Sequence, residues 1–300
     1  MIILLLIAFG LSTSQSPRLL KNVSALSESY QQKCLRFLPA ETENHASLAS
    51  LVCGENLTDK ELKLSLTKTS LIHIFVISGA HLILLDELLS ILKIPFFVRF
   101  IFLFIYSVIV GWQPPAVRAL VALGTRAALR KLHWHFPPDL MVLIAGAATL
   151  LIFPPWWQSL SLLMSWCAAL ALCWSSTLRI KSKFTAVLVS QCAIFLFMCA
   201  PLWGLGALHP LSLLYNILLG PVVSFVLMPL AFAVAFIHPL VPAFDFMVNF
   251  FATILKLISE PITLVRGNAP SVGLLWFWVL LWQLFFHFLR LHLYQGRDSR

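Results

Sequence analysis

Long apolar runs follow one another through most of this chain, and they constrain its fold more than any other feature. A chain of 300 residues that is 60% hydrophobic and 11% charged lacks the polar cover that a soluble domain needs. The runs are continuously apolar, which favours membrane-spanning helices over barrel strands of alternating polarity. The sequence therefore predicts an all-α, polytopic transmembrane helix bundle. The runs lie at 70–92, 94–112, 115–131, 139–153, 156–174, 184–206, 209–236, 244–263 and 270–290.

The placement of Lys and Arg predicts the orientation of this bundle. Cytoplasmic loops carry an excess of both residues, and the clearest such segments are RIKSK at 179–183 and the C-terminal tail. Residues 115–131 must then cross so that Arg130 and Lys131 reach the cytoplasm. Residues 70–92 consequently enter from outside. We expect about eight crossings of an inner (cytoplasmic) membrane, with 209–236 and 244–263 each crossing once.

The polar N-terminal part is expected to form a small region of its own. Residues 1–15 resemble a signal peptide or a short anchor. Residues 16–69 form an extracytoplasmic segment that is too small for a stable core of its own. We expect it to pack against the membrane domain. Cys34 and Cys53 in this segment are a candidate disulfide if it faces an oxidising compartment. The membrane domain covers 70–293, and residues 294–300 form a cytoplasmic tail.

Three arginines lie inside the run 115–131. Arg118 and Arg126 fall on one broad helix face. An arginine at bilayer depth is costly unless it is paired or hydrated, so the pair either lines a polar path or reaches the membrane surface. Arg130, nearer the end of the run, is interpreted as a side chain that reaches the interface.

The run 70–92 carries polar residues that a plain anchor does not need. Ser78-Gly79 marks a point where the helix is expected to break or pack tightly, and breaks are tolerated only inside protein or beside a water-filled cavity. His73 and His81 are either structural histidines or part of such a cavity. Their spacing is too long for one metal ion, and no metal site is expected.

Three further polar residues have alternative interpretations. Asp86 and Glu87 are candidate ion-pair partners of Arg118 or Arg99, because pairing would offset their desolvation. Asn216 precedes a Gly-Pro step at which we expect the 209–236 helix to break. Its amide either bonds between helices or lines a polar path.

No catalytic arrangement is visible in this chain. It contains no glycine-rich phosphate loop, no HExxH motif and no Cys pair with metal-binding spacing. The sequence alone predicts a membrane conduit or scaffold, not an enzyme, and no cofactor.

Four blocks between residues 51 and 236 resemble the competence domain of the ComEC family. The first contains a Gly-acid pair followed by a His-containing Ser-Gly-x-His element, and the second is GWQPPAVRAL. The third is a Pro with a later LMSWCAALAL stretch, and the fourth is an Asn followed by a Pro. The matching residues are Gly54, Glu55, His73, Ile77, Ser78, Gly79, His81, Gly111, Pro115, Arg118, Ala119, Pro154, Ser165, Asn216 and Pro221.

This resemblance implies an inner-membrane channel subunit that passes single-stranded DNA during natural competence. Deep arginines suit such a path, because a polyanion crossing lipid needs charge neutralisation and water. No stretch resembles the metallo-β-lactamase-like domain of many members, so any nuclease is expected to be a separate protein. Besides membrane lipid, the expected partners are a DNA receptor, that nuclease, a cytoplasmic motor and further copies of the chain. The DNA-path candidates are His73, Ser78, Gly79, His81, Arg118, Arg126 and Asn216.

Two other functions fit the same residues. A transporter of a small anionic solute would enclose its ligand in a compact pocket. A non-conducting scaffold with the competence-domain fold would hold Arg118 in a buried ion pair and have no open path.

Overall fold

A computed structural model of the protein describes residues 18–75, 79–178, 180–204, 209, 211–262 and 270–298. Within these residues the chain is helical and forms no strand, which confirms the all-α prediction. The helices are α1 (Arg18–Phe37), α2 (His45–Cys53), α3 (Lys60–Lys68), α4 (Ile72–Phe75), α5 (Gly79–Ile91), α6 (Phe96–Ile109), α7 (Pro114–Lys131), α8 (Pro138–Ile152), α9 (Leu160–Thr177), α10 (Lys183–Gly204), α11 (Ser212–Val222), α12 (Met228–Phe236), α13 (Val241–Ser259) and α14 (Val272–Asp298).

The helices occur where the apolar runs predict them, because a chain in lipid must satisfy its backbone groups within the helix. In the described part, five helical stretches are long and apolar enough to cross a membrane, and α6 and α8 are shorter apolar helices. The five are Leu160–Thr177, Lys183–Trp203, Ser212–Phe236, His238–Ser259 and Val272–Leu291.

The predicted break at Pro221 is wrong. The chain stays helical from α11 through a π-helical segment (Val223–Leu227) into α12. Proline lacks an N–H and its ring crowds the carbonyl four residues earlier, and a local π-helical widening adapts a helix to such a defect without ending it. Of the two interpretations of Asn216, the interhelical bond is not the one observed, since its Nδ2 donates to the Ser212 carbonyl at 2.7 Å within α11.

The described residues fall into two compact units, and the chain passes between them within α7, after α10 and before α14. The first unit comprises Ser16–Leu120 and Leu205–Gly267, and the second comprises Val121–Gly204 and Asn268–Arg300.

In the first unit, the N-terminal segment shares its core with later helices. Leu48 and Leu51 of α2 are buried in the same apolar cluster as Val234 of α12 and Val248 of α13. Cys34 and Cys53, the pair named from the sequence, are joined by a disulfide. A segment this short cannot bury enough apolar surface by itself, which explains why it packs on helices that follow it by some two hundred residues.

In the second unit, α9 packs against α8, α10 and α14. Gly146 of α8 leaves room for the buried Trp166 indole, because a Cβ on Gly146 would lie 2.4 Å from that ring. Two indole N–H groups of α14 donate to backbone carbonyls: Trp276 to Trp157 at 2.7 Å and Trp278 to Phe197 at 2.8 Å. These two bonds satisfy the polar atoms of Trp276 and Trp278 while their rings pack against the other helices of this unit.

Candidate functional site

A close contact between the first turns of α5 and α7 lies at the centre of the candidate site. A Cβ added to Gly79 would lie 2.8 Å from the Pro115 carbonyl oxygen and 3.3 Å from the Ala119 Cβ. Only glycine allows the two backbones to approach this closely. Gly79 is therefore a tight packing point. The backbone at 76–78, including Ser78, lies outside the described residues, so the expected helix break there stays a prediction.

Two ionisable side chains are buried in these same helix turns. Arg118 follows Pro115 by one turn of α7 and is 6% exposed, and His81 follows Gly79 in α5 and is 3% exposed. Arg118 is embedded in an apolar stretch, since Ala116, Val117 and Ala119 are buried as well. Pro at the start of α7 suits the first turn, where the missing N–H has no helical partner to lose. The local sequence thus places a guanidinium at the buried beginning of an apolar helix.

The other DNA-path candidates have different environments. Arg126 and Arg130, the other arginines of α7, are both exposed. Asn216 is half-buried and bonded within its own helix. The side chain of His73 lies outside the described residues. Of these candidates, only Arg118 and His81 are described as buried side chains.

The ion pair predicted for Asp86 is formed with Arg99. Asp86 Oδ1 lies 3.2 Å from Arg99 Nε, with both side chains mostly buried, while Glu87 is exposed. The pair joins α5 to α6 across the turn between them. Two partners were proposed for Asp86, and the structure pairs it with Arg99 of α6.

Two matched glycines bring the first and second blocks of the family pattern together. Gly54 has φ +70° at the end of α2, and a Cβ there would lie 2.6 Å from the Val110 carbonyl oxygen. Gly111 has φ +89° and approaches the Gln31 side chain, whose Nε2 donates to the Cys53 carbonyl at 2.9 Å. The two blocks therefore approach each other at Gly54, which lies against Val110, and at Gly79, which lies against Pro115. Both contacts require glycine because a Cβ would clash with a backbone oxygen.

Two buried carboxylates were missed by sequence reasoning. Asp245 of α13 is 9% exposed and lies in an apolar run, and Asp139 at the start of α8 is 1% exposed. Asp245 accepts hydrogen bonds from the Thr42 hydroxyl and from the backbone N–H groups of Glu43 and Asn44. The sequence could have indicated these sites, because a single acid in an otherwise apolar run is usually paired or functional. It could not have identified the partner of each acid.

A bundle of long apolar helices with paired and buried charges defines a polytopic helical membrane protein. The sequence model of the Competence protein family matches residues 51–294, and the chain belongs to this family. Its role is accordingly in competence. No curated protein and no solved structure matches the chain.

The Gly79 contact gives a direct prediction about stability. We expect Gly79→Ala to lower the free energy of unfolding by about 1 to 3 kcal/mol, because the new methyl group would meet the Pro115 backbone rather than a movable side chain. The measurement is the melting temperature of the purified chain in detergent. Gly273→Ala is the matched control, since a Cβ there meets nothing within 4 Å. Equal melting temperatures for the two variants would contradict the tight-contact interpretation.

Proposed function

We propose that the chain is a channel subunit that passes single-stranded DNA across the bacterial inner membrane during natural competence. The N-terminal segment lies outside in this proposal, and the C-terminus lies in the cytoplasm. The observation that carries the proposal is the burial of Arg118 at the contact between α5 and α7, in a chain of the Competence family.

The chemistry of arginine supports a DNA path here. The guanidinium stays protonated at any accessible pH, so a buried arginine needs an acceptor, water or an anion beside it. A phosphate accepts two parallel N–H bonds from the planar guanidinium. Arg118 is assigned the phosphate contact and His81 a supporting polar contact in the neighbouring turn. His73, Ser78, Arg126 and Asn216 are further candidates along the path.

In this proposal, other proteins carry out the remaining steps of DNA uptake. It conducts the strand and carries out no covalent chemistry. A DNA receptor would deliver the substrate, a separate nuclease would remove the second strand, and a cytoplasmic motor would draw the strand inward. Several copies of the chain are compatible with this role.

Uptake by Arg118 variants tests the proposal. Cells that carry only the variant chain, at matched membrane levels, are given labelled DNA, and the label protected from external nuclease is measured. We expect Arg118→Met to abolish uptake. Arg118→Lys keeps the charge but loses the fork, so uptake should fall about 10- to 100-fold, the equivalent of one charge-assisted hydrogen bond. Arg130→Met, an exposed arginine of the same helix, is the control and should stay near wild type.

Three outcomes separate the conducting channel from the non-conducting scaffold. Normal uptake by a folded Arg118→Met protein would remove this arginine from the path and favour the scaffold. Loss of both uptake and the wild-type melting temperature would show that Arg118 stabilises the fold, which also favours the scaffold. Loss of uptake at an unchanged melting temperature supports conduction.

A further inference from the structure

Both ends of α13 contact the N-terminal segment through polar groups. Near its beginning, Asp245 bonds to residues 42–44. Near its end, Lys256 Nζ lies 3.6 Å from Glu61 Oε1, and Ser259 Oγ donates to Ser65 Oγ at 3.1 Å. Asp245 and Ser259 are fourteen residues apart, so the two contacts are separated by about 21 Å along the helix.

The contacting parts of the N-terminal segment are too polar to lie in hydrocarbon. The α3 sequence KELKLSLTK exposes Lys60, Glu61 and Lys63, and the stretch before α2 exposes Glu41 and Glu43. Charged side chains without buried partners are strongly unfavourable at bilayer depth. Each end of α13 is therefore held at a depth where water is present. If α13 crossed the membrane, these two polar stretches would have to lie on opposite sides of it.

The surface of α13 is divided into three lengthwise stripes. At about 100° per residue, one stripe is buried in the core of the first unit and includes Phe244, Val248, Phe251 and Leu255. The other two stripes are exposed and lie side by side. The polar stripe consists of Asn249, Thr253 and Lys256 and continues to Glu260, the residue that caps the end of α13. The apolar stripe consists of Ala243, Phe246, Phe250 and Leu257.

These stripes fit an interfacial helix better than a crossing one. A helix that crosses lipid exposes apolar groups around its middle, whereas Asn249 and Thr253 occupy the middle of the exposed surface of α13. A helix in the plane of the interface directs its polar stripe to water and its apolar stripe to the acyl chains. Phe246, at 68% exposed, and Leu257, also at 68%, would be solvated by lipid.

We propose that α13 lies flat in the membrane–water interface on the side of the N-terminal segment, with Phe246, Phe250 and Leu257 inserted among the lipid acyl chains. Its length and hydropathy also suit a crossing, and the sequence was interpreted that way for 244–263. The polar contacts at both ends favour the interface. In this position α13 fixes residues 42–68 against the membrane surface, a role that does not depend on DNA conduction.

Depth-dependent quenching tests the apolar stripe. The full chain, with Cys167, Cys173, Cys192 and Cys199 replaced by alanine, receives one new cysteine as Phe246→Cys, Phe250→Cys or Leu257→Cys. Each variant carries a small fluorophore in liposomes containing nitroxide lipids labelled near the headgroup or near the chain end. We expect the headgroup-proximal quencher to act more strongly at all three positions and in equal proportion. Stronger quenching by the deep nitroxide at Phe250→Cys alone would indicate a crossing helix and overturn the proposal.

Labelling from the water side tests the polar stripe. In the same background, Asn249→Cys, Thr253→Cys and Glu260→Cys are exposed to a bulky, membrane-impermeant maleimide. Glu41→Cys and Lys63→Cys are the controls for the N-terminal segment. We expect all five positions to react from one side of the membrane. Reaction of Asn249→Cys and Glu260→Cys from opposite sides, or protection of Thr253→Cys from the bulky reagent, would place α13 across the bilayer.

Discussion

Replacing Asp139 with alanine is expected to lower the free energy of unfolding by about 3 to 5 kcal/mol, the cost of leaving a buried partner charge unpaired. Asp139 Oδ1 lies 3.3 Å from Arg290 Nε, and the side chains of Asp139 and Arg290 are 1% and 18% exposed. The pair joins the first turn of α8 to α14, and the acid at the start of α8 also complements the helix dipole.

Neighbouring groups orient this ion pair. Arg290 also donates to His287 Nδ1 at 2.9 Å. His287 Nδ1 also lies 3.6 Å from Asp139 Oδ2. Gln283 Nε2 donates to the Asp139 carbonyl at 3.0 Å. One face of α14 carries Gln283, His287 and Arg290. On this face the Asp139 carboxylate balances the charge of Arg290.

The melting temperature in detergent measures the Asp139 effect, with Glu61→Ala as the matched control. Glu61 also forms an ion pair, but its side chain is 83% exposed, and exposed pairs contribute about 0 to 1 kcal/mol. The double variant Asp139→Ala/Arg290→Met should recover part of the loss, because it removes the unpaired charge. Equal effects of Asp139→Ala and Glu61→Ala would show that the buried pair contributes little.

Replacing Asp245 with alanine is expected to cost about 3 to 5 kcal/mol and to release the N-terminal segment from α13. Its carboxylate accepts from the Thr42 hydroxyl at 2.5 Å, from the Glu43 N–H at 3.2 Å, and from the N–H and Nδ2 of Asn44, both at 3.1 Å. These N–H groups precede α2, whose own cap residue makes no side-chain cap bond. Each buried donor left unsatisfied costs about 1 to 3 kcal/mol.

Limited proteolysis of the N-terminal segment, together with the melting temperature, measures the Asp245 effect. The control is Asn249→Ala on the same helix, which removes one exposed bond to the Asn44 side chain and should leave cleavage near wild type. Faster cleavage within 38–45 in Asp245→Ala alone supports the prediction. Cleavage at the same rate in both variants would show that the shared apolar core, not Asp245, holds the segment.

Much of the fold followed from local sequence patterns. The positions of the helices depend on apolar runs. In lipid such a run forms a helix whatever its neighbours are, because its backbone groups must bond within the segment. The candidate site was less predictable. Residues 115–131 placed Arg118 and Arg126 on one face, yet Arg118 is buried and Arg126 is exposed. Burial of a side chain depends on which helix covers it, and the helix pattern does not contain that information.

The sequence by itself determined the class of protein, the helix positions, the Cys34–Cys53 pair and the blocks that mark the Competence family. These properties depend on composition, on short-range periodicity and on residue types at fixed spacings. Only the tertiary structure decided that Asp86 pairs with Arg99, that Asp139 meets Arg290, and that Asp245 holds a segment two hundred residues earlier. Ion pairs and hydrogen bonds act over a few ångströms, so the partner of a buried charge is decided by how the helices pack.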